Sequence, residues 1–170
     1  FITSIVLLPK ETSKPLLKST SPVPDQTTPK EWTKFSQLSY ASTSSSSMSI
    51  SKNGKRLVVG FWVDDIVRIY DLVDGTTESS QYWEMNEFIQ GDNLGDQFGY
   101  SVQLSSDGNT LAVGVPGFDK QDSEMSPVKK MNNEGLVSIY HYSTSWFKEF
   151  DIFGEIRDGS FGASLSFDSS

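Results

Sequence analysis

Two stretches of the chain alternate apolar and polar positions, and a denser apolar run follows each of them. Residues 48–50 and 102–104 alternate, whereas residues 57–61 and 111–115 are almost continuously apolar. Alternation is typical of a strand with one buried face, because successive side chains of a strand point to opposite sides. A continuous apolar run suits a strand that is buried on both faces. The pattern therefore predicts two pairs of neighbouring β-strands.

A turn-forming dipeptide separates the two parts of each stretch. Asn53-Gly54 lies in the first stretch and Asp107-Gly108 lies in the second. Both dipeptides are preferred in two-residue type I′ turns, in which both central residues need a positive φ. The sequence therefore predicts a two-residue hairpin at each dipeptide. The alternation further predicts that four apolar side chains face the core: Met48, Ile50, Val102 and Leu104.

The two stretches are copies of one internal repeat. The aligned segments are 46–60 with 100–114, 66–70 with 136–140, and Trp83 with Trp146, at offsets of 54, 70 and 63 residues. A third copy begins at residues 162–167. Four strands in roughly 55–65 residues is the content of one propeller blade. We therefore predict an all-β fold, namely a β-propeller fragment of about two to three four-stranded antiparallel blades.

The first part of the chain differs from the repeats. Residues 1–31 are rich in Pro, Ser, Thr and Lys. Proline removes backbone donors and favours extended chain, so these residues are predicted to form an arm or a linker. The blades are expected over residues 32–170, in the approximate repeats 32–98, 99–161 and an incomplete 162–170.

The second repeat contains an insertion at residues 116–134. This segment combines Pro, Lys, Asp and Asn and has no apolar period that would bury it. We expect it to be an exposed excursion between two strands and a candidate for a partner contact.

Composition narrows the classes of function. The net charge is −8, and an acidic protein repels phosphate backbones, so no nucleic-acid partner is predicted. No apolar run approaches the roughly 20 residues of a membrane-spanning helix, so no membrane span is predicted. The chain has no cysteine, which excludes disulfides and thiolate metal sites.

Short motifs recur at fixed places in the repeats. A Phe-Gly pair precedes the first strand of the second and third copies, at residues 98–99 and 161–162. Gly114-Val115-Pro116 follows the second strand of the second copy. In this order the motifs resemble the FG-GAP repeat family, the blades of integrin α-subunit heads and of many surface proteins. The family is named for Phe-Gly and Gly-Ala-Pro, so Val115 departs from its pattern.

The resemblance covers about residues 44–170, and its first copy is degenerate. Ser44-Ser45 replaces Phe-Gly there, and residues 60–62 (Gly-Phe-Trp) replace Gly-Ala-Pro. The resemblance implies a non-enzymatic module for protein–protein or protein–glycan interaction, acting as a scaffold or a component of a surface assembly. It also implies an extracellular or cell-surface location.

Two alternatives remain open. Residues 51–75 are similar to a WD40 blade, with Tyr70 at the position of the usual Trp and Asp71 after it. That resemblance implies an intracellular scaffold, although the chain has no Gly-His pair. A carbohydrate-active propeller enzyme is the third candidate, because carboxylates are abundant.

Many FG-GAP blades carry a calcium loop with several aspartates, but the hairpins of this chain are too short to supply six to eight oxygen ligands. No metal site and no cofactor are therefore predicted. The weaker calcium candidate is a group of acids in the insertion: Asp119, Asp122 and Glu124. A solvated loop explains these acids better.

No catalytic residue is predicted. His141 is the sole histidine and lies between two tyrosines in a predicted strand, so an ordinary strand position is the simpler interpretation. The glycine-rich residues 91–96 lack the Gly-Lys-Ser/Thr of a phosphate loop and are interpreted as a connection between blades.

The number of blades leads to a last expectation. Propellers close with about four to eight blades, and the repeats here supply at most about three. We therefore expect the chain to associate with other protein chains or with the remainder of a longer polypeptide.

Overall fold

The computed structural model describes residues 2–9, 32–40, 46–75, 81–119 and 133–168. Within these residues the regular structure consists of β-strands, and no helix is present. The chain divides into two compact units, residues 1–42 and 43–170. The all-β prediction is therefore confirmed.

The first unit contains a two-stranded antiparallel sheet. β1 (Ile2–Pro9) pairs with β2 (Trp32–Tyr40), with a register shift between Val6 and Leu7. Residues 32–40 therefore pair with β1, outside the two larger sheets. Residues 10–31 lie outside the described residues, so the arm or linker stays a prediction.

The second unit contains two four-stranded antiparallel sheets, each with its strands in sequence order. The strands of the first sheet are β3 (Ser46–Ile50), β4 (Arg56–Phe61), β5 (Ile66–Asp74) and β6 (Gln81–Gln90). The strands of the second sheet are β7 (Ser101–Leu104), β8 (Thr110–Val115), β9 (Leu136–Tyr142) and β10 (Trp146–Phe153). These are the predicted four-stranded blades, and the arrangement is not closed.

The hairpin loop between β3 and β4 is wider than a two-residue turn. Ser51 N donates to the carbonyl of Arg56 (2.9 Å), and among the loop residues only Gly54 has a positive φ, of 69°. The Oδ1 atom of Asn53 instead accepts from Ser51 Oγ (2.7 Å) and Lys55 N (2.9 Å). Such side-chain bonds stabilise a wider turn. The dipeptide does lie in the hairpin, but the prediction of a type I′ turn is wrong.

The loop between β7 and β8 repeats this pattern. Ser105 N donates to the carbonyl of Thr110 (2.9 Å), and Gly108 has a φ of 77°. Asp107 Oδ1 accepts from Ser105 Oγ (2.6 Å) and Asn109 N (3.0 Å). These hydrogen bonds, that of the Ser105 hydroxyl first, lower the pKa of Asp107. The repeat therefore extends to the individual bonds of the loop.

Burial in β3 contradicts half of the core prediction. Val102 and Leu104 are buried, but Met48 and Ile50 are 43% and 38% exposed. Ser49 points to the side of β3 that the second sheet covers, where its Oγ accepts from Leu104 N (3.0 Å). Because strand side chains alternate, Met48 and Ile50 then point to the opposite side.

The core lies between the two sheets. Buried side chains of β4 and β5 meet the covered side of the second sheet, and Phe98 and Trp146 complete the cluster. The main contributors are Val58, Val67, Ile69, Val102, Leu104, Leu111, Val113, Val115, Leu136 and Tyr140. The loops of the two hairpins are also joined, because Lys52 N donates to the carbonyl of Ser106 (3.0 Å). Burial and backbone bonds thus stack the first sheet on the second.

Candidate functional site

One side of the second sheet carries exposed apolar side chains. Leu136 and Tyr140 belong to the core against the first sheet, so the alternating Val137 and Ile139 point the other way. Three residues of β10 point the same way, because they pair in the ladder with residues of this side: Phe147 with His141, Phe150 with Ile139 and Ile152 with Val137. They are 48%, 49% and 44% exposed. We call the surface formed by Val137, Ile139, Phe147, Phe150 and Ile152 the outer face.

A pocket lies on the opposite side of the second sheet, against the segment that connects the sheets. Its volume is about 150 Å³. Buried Phe98, Val115 and Leu136 form its floor. The rings of Phe118 and Phe153 form one wall, with centroids 5.7 Å apart and planes at 50°. We call this cavity the connector pocket.

The polar rim of the connector pocket is organised by Lys148. Its Nζ donates to Asp92 Oδ2 on the connecting segment (2.7 Å) and to Asp151 Oδ2 on β10 (3.1 Å). Asp151 also accepts from the Ser138 hydroxyl (2.6 Å). Burial alone would lower the pKa of Lys148, but the bonds to the two carboxylates raise it above its usual value. Lys148 therefore remains charged and links the connecting segment to the sheet.

Asp96 and Asn93 complete the rim. Asp96 is buried, and its Oδ2 accepts from Asn93 Nδ2 (2.9 Å). Three carboxylates and one amide group thus line the rim, and the ammonium group of Lys148 lies between two of these carboxylates. Donors and acceptors lie beside an aromatic wall, which is an arrangement suited to an uncharged, hydroxyl-bearing ligand.

Arg56 joins the two sheets at the hairpin end. It forms a bidentate ion pair with Asp71 of its own sheet (2.7 Å and 3.2 Å). Its Nη1 donates to the carbonyl of Gly108 (3.1 Å), and its guanidinium lies 4.1 Å from the centroid of the Tyr142 ring. The planar, multi-donor guanidinium suits such a junction.

Asp65 fixes the connecting segment from within. Its side chain is 1% exposed, and its two oxygens accept from Gly95 N (2.6 Å) and Phe98 N (2.8 Å). Its φ is +52°. The aligned residue in the second repeat is Gly135, with a φ of +77°. The fold thus needs a left-handed backbone at this position, which glycine and aspartate adopt more readily than most residues.

One of the three calcium candidates from the sequence lies among the described residues. Asp119 Oδ1 accepts from Asn133 N (2.7 Å), which ties the two ends of the insertion together. Asp122 and Glu124 lie outside the described residues. No cluster of three or more metal-binding side chains occurs in the part of the chain that the structure describes.

His141 and the glycine-rich residues 91–96 are the two remaining candidates from the sequence. His141 lies in β9, and its ring packs against Phe147 at 5.8 Å between centroids. Residues 91–96 belong to the connection between β6 and β7, as the sequence indicated.

The sequence pattern missed Arg56, Asp65 and Lys148. The first two stand where the second repeat has Thr110 and Gly135, so each is a departure from the repeat. The alignment did contain a signal for these two residues, because each is a charged residue where the other repeat has a small one. Lys148 gave no such signal, because its role depends on Asp92, which is distant in sequence.

No protein-family model matches this chain, and no curated protein shows significant similarity to it. Among the described residues, no helix has the length and hydropathy that crossing a membrane would require.

Proposed function

We propose that this chain is a non-enzymatic interaction module, a propeller-like scaffold component that binds a further four-stranded sheet through its outer face. The main support is that the outer face corresponds, in the repeat, to the side of the first sheet that packs against the second sheet. Val58, Val67 and Ile69 of the first sheet pack against the second sheet. Their counterparts in the repeat are Ala112, Val137 and Ile139, on the side of the second sheet that includes the outer face.

The chain itself supports a sheet as the occupant. Ser47 Oγ of β3 donates to the carbonyl of Gly99 (2.9 Å), just before β7 begins. Ser101 Oγ of β7 donates in the same way to the carbonyl of Gly162 (2.6 Å). Gly162 therefore accepts a hydrogen bond from the second sheet in the same way that Gly99 accepts one from the first sheet.

Three large side chains supply the binding energy in this proposal. Phe147, Phe150 and Ile152 lie on one side of β10 and are each nearly half exposed. Contiguous exposed apolar side chains mark interaction surfaces in soluble proteins. The occupant is another blade, contributed by the remainder of a longer polypeptide or by neighbouring protein chains.

Sedimentation velocity of the isolated 170-residue chain tests the proposal. We expect association at micromolar concentration, because Phe147, Phe150 and Ile152 of the outer face are each nearly half exposed. Phe150→Glu should shift the chain towards a monomer. Leu94→Glu is the matched control, because Leu94 is 84% exposed in the connecting segment, and it should leave the association unchanged. A soluble, cooperatively folded wild-type monomer would reject the proposal.

The FG-GAP resemblance accords with this function and favours an extracellular or cell-surface location over the intracellular location of a WD40-like scaffold. The Phe-Gly and Gly-Val-Pro motifs support it, because their glycines form the closest approach between repeats. A full-length coding sequence with a signal peptide would support the surface location, and one that encodes none would favour the intracellular alternative.

A further inference from the structure

The connector pocket is separate from the outer face, because the two lie on opposite sides of the second sheet. Phe153 of the pocket pairs with Leu136 in the ladder, whereas Ile152 of the outer face pairs with Val137. Adjacent strand residues point to opposite sides. A ligand of the pocket therefore does not compete with a sheet that covers the outer face.

The aromatic wall is accessible to a ligand. Phe153 is 47% exposed, and Phe118 is partly buried beside it. The two rings lie side by side, with planes inclined by 50°. Apolar C–H groups of a ligand pack against such rings.

The rim offers hydrogen-bonding groups that suit hydroxyl groups. The charge of Lys148 already lies between Asp92 and Asp151, and a second cation would have to compete with it. Each carboxylate has about four lone-pair positions, and the amide of Asn93 has two N–H groups, of which one donates to Asp96. The rim therefore keeps both accepting and donating capacity, which matches a hydroxyl group because it both donates and accepts.

The size of the pocket limits the ligand. Its volume of about 150 Å³ is below the roughly 300–1,000 Å³ of pockets for drug-sized molecules. A single small ring fits this scale better than an extended molecule.

We propose that the connector pocket binds one ring of a neutral carbohydrate. The apolar face of the ring packs on Phe153, and its hydroxyl groups exchange hydrogen bonds with Asp92, Asn93 and Asp151. A single ring of about twelve non-hydrogen atoms binds weakly, with a Kd of about 1–10 mM, and a longer glycan adds contacts outside the pocket.

Saturation-transfer NMR with methyl glycosides of glucose, galactose, mannose and N-acetylglucosamine tests this site. The method observes the sugar and tolerates an associated protein. We expect at least one glycoside to bind, and Phe153→Ala to weaken that binding by about tenfold or more, since the ring supplies the main apolar contact. Phe88→Ala is the matched control, because Phe88 of β6 is 58% exposed and lies outside both the connector pocket and the outer face, and it should change the affinity less than about twofold.

Asp92→Asn provides a second variant that does not perturb the core, because the Asp92 side chain is 77% exposed. An amide still accepts a hydrogen bond, so the loss of affinity should be only about three- to tenfold. The melting temperature of each variant shows whether folding is retained.

The binding experiments distinguish a carbohydrate site from a cation site. Binding of butylammonium in place of every glycoside would overturn the proposal in favour of a cation site. Absence of binding by all four glycosides, or an equal loss in Phe88→Ala and Phe153→Ala, would also overturn it. None of these results affects the association test of the outer face, because that test depends on Phe150.

Discussion

Gly60 of β4 lies directly against the backbone of Gly99, which precedes β7. A Cβ atom on Gly60 would overlap the carbonyl oxygen of Gly99, and one on Gly99 would lie 3.2 Å from the Cα of Gly60. Gly114 and Gly162 make the same approach one repeat later, where the corresponding distance is 3.1 Å. The two glycine motifs of the repeat therefore meet where the backbones of adjacent repeats are in direct contact.

Gly60→Ala and Gly114→Ala should each lower the free energy of unfolding by about 2–3 kcal/mol, because the added methyl group separates the backbones. Urea denaturation measures the change. Gly95→Ala is the control, because Gly95 has a φ of +91° but open space around it. It should cost only about 1 kcal/mol, from backbone strain alone. An equal cost at all three positions would contradict a steric origin.

Arg56→Lys should lower the free energy of unfolding by about 1–2 kcal/mol. Lysine keeps the charge beside Asp71 but loses the second bond of the bidentate pair and the stacking on Tyr142. Thermal denaturation measures the change, and Arg157→Lys at an exposed position should have no measurable effect. If Arg56→Lys also left the stability unchanged, Arg56 would not stabilise the junction.

Asp65→Ala should be more destabilising, by about 3 kcal/mol, since it leaves the buried N–H of Phe98 and the part-buried N–H of Gly95 without their acceptors. Asp65→Asn should cost roughly half as much, because the amide oxygen replaces only one acceptor. Urea denaturation of both variants gives this order. Glu84→Gln, at an exposed position of β6, is the control for loss of one negative charge. A larger loss of stability for Asp65→Asn than for Asp65→Ala would contradict the role of the two hydrogen bonds.

High pH should weaken the fold through Tyr140. Burial is the main cause that raises the pKa of Tyr140 from 10.0 to about 12. Between these values the unfolded chain has released the phenol proton and the folded chain retains it, so stability falls as the pH rises from 10 to 12. The urea midpoint of the wild type should decrease more across this range than that of Tyr140→Phe. Parallel decreases would show that Tyr140 does not contribute.

Calcium should not stabilise the chain. The short hairpins hold no group of oxygen ligands large enough for calcium, and Asp119 already accepts from Asn133 N. Adding a chelator should therefore leave the melting temperature unchanged. A rise of several degrees on adding calcium would instead indicate a site that includes Asp122 and Glu124.

The sequence predicted the strands well because the repeat aligned two independent copies of each one. Trp83 and Trp146 lie in the fourth strand of each sheet, as the alignment indicated, and both are buried. The turn type was missed because hydrogen bonds from Ser51 and Lys55 to the side chain of Asn53 stabilise a wider loop. Dipeptide preference does not include such bonds.

The sequence predicted burial in β3 less well. Met48 and Ile50 are the apolar residues of that strand, but the second sheet covers the side that carries Ser49. Alternation shows that a strand has two different sides, and only the packing decides which side is covered. The connector pocket was not predicted, because its rim brings together residues that are distant in sequence. Asp92 lies in the connecting segment and Asp151 lies in β10, and Lys148 bonds to both.

The hydrogen bond from Lys52 N to the carbonyl of Ser106 gives the stack a direction. The first hairpin donates and the second accepts, so the two surfaces that meet are different surfaces. A twofold axis between two copies would bring identical surfaces together, and it cannot reproduce this contact. Copies that continue the contact are related head to tail, and they form either a closed ring or an open helical filament. Any assembly built from this contact is therefore cyclic or helical.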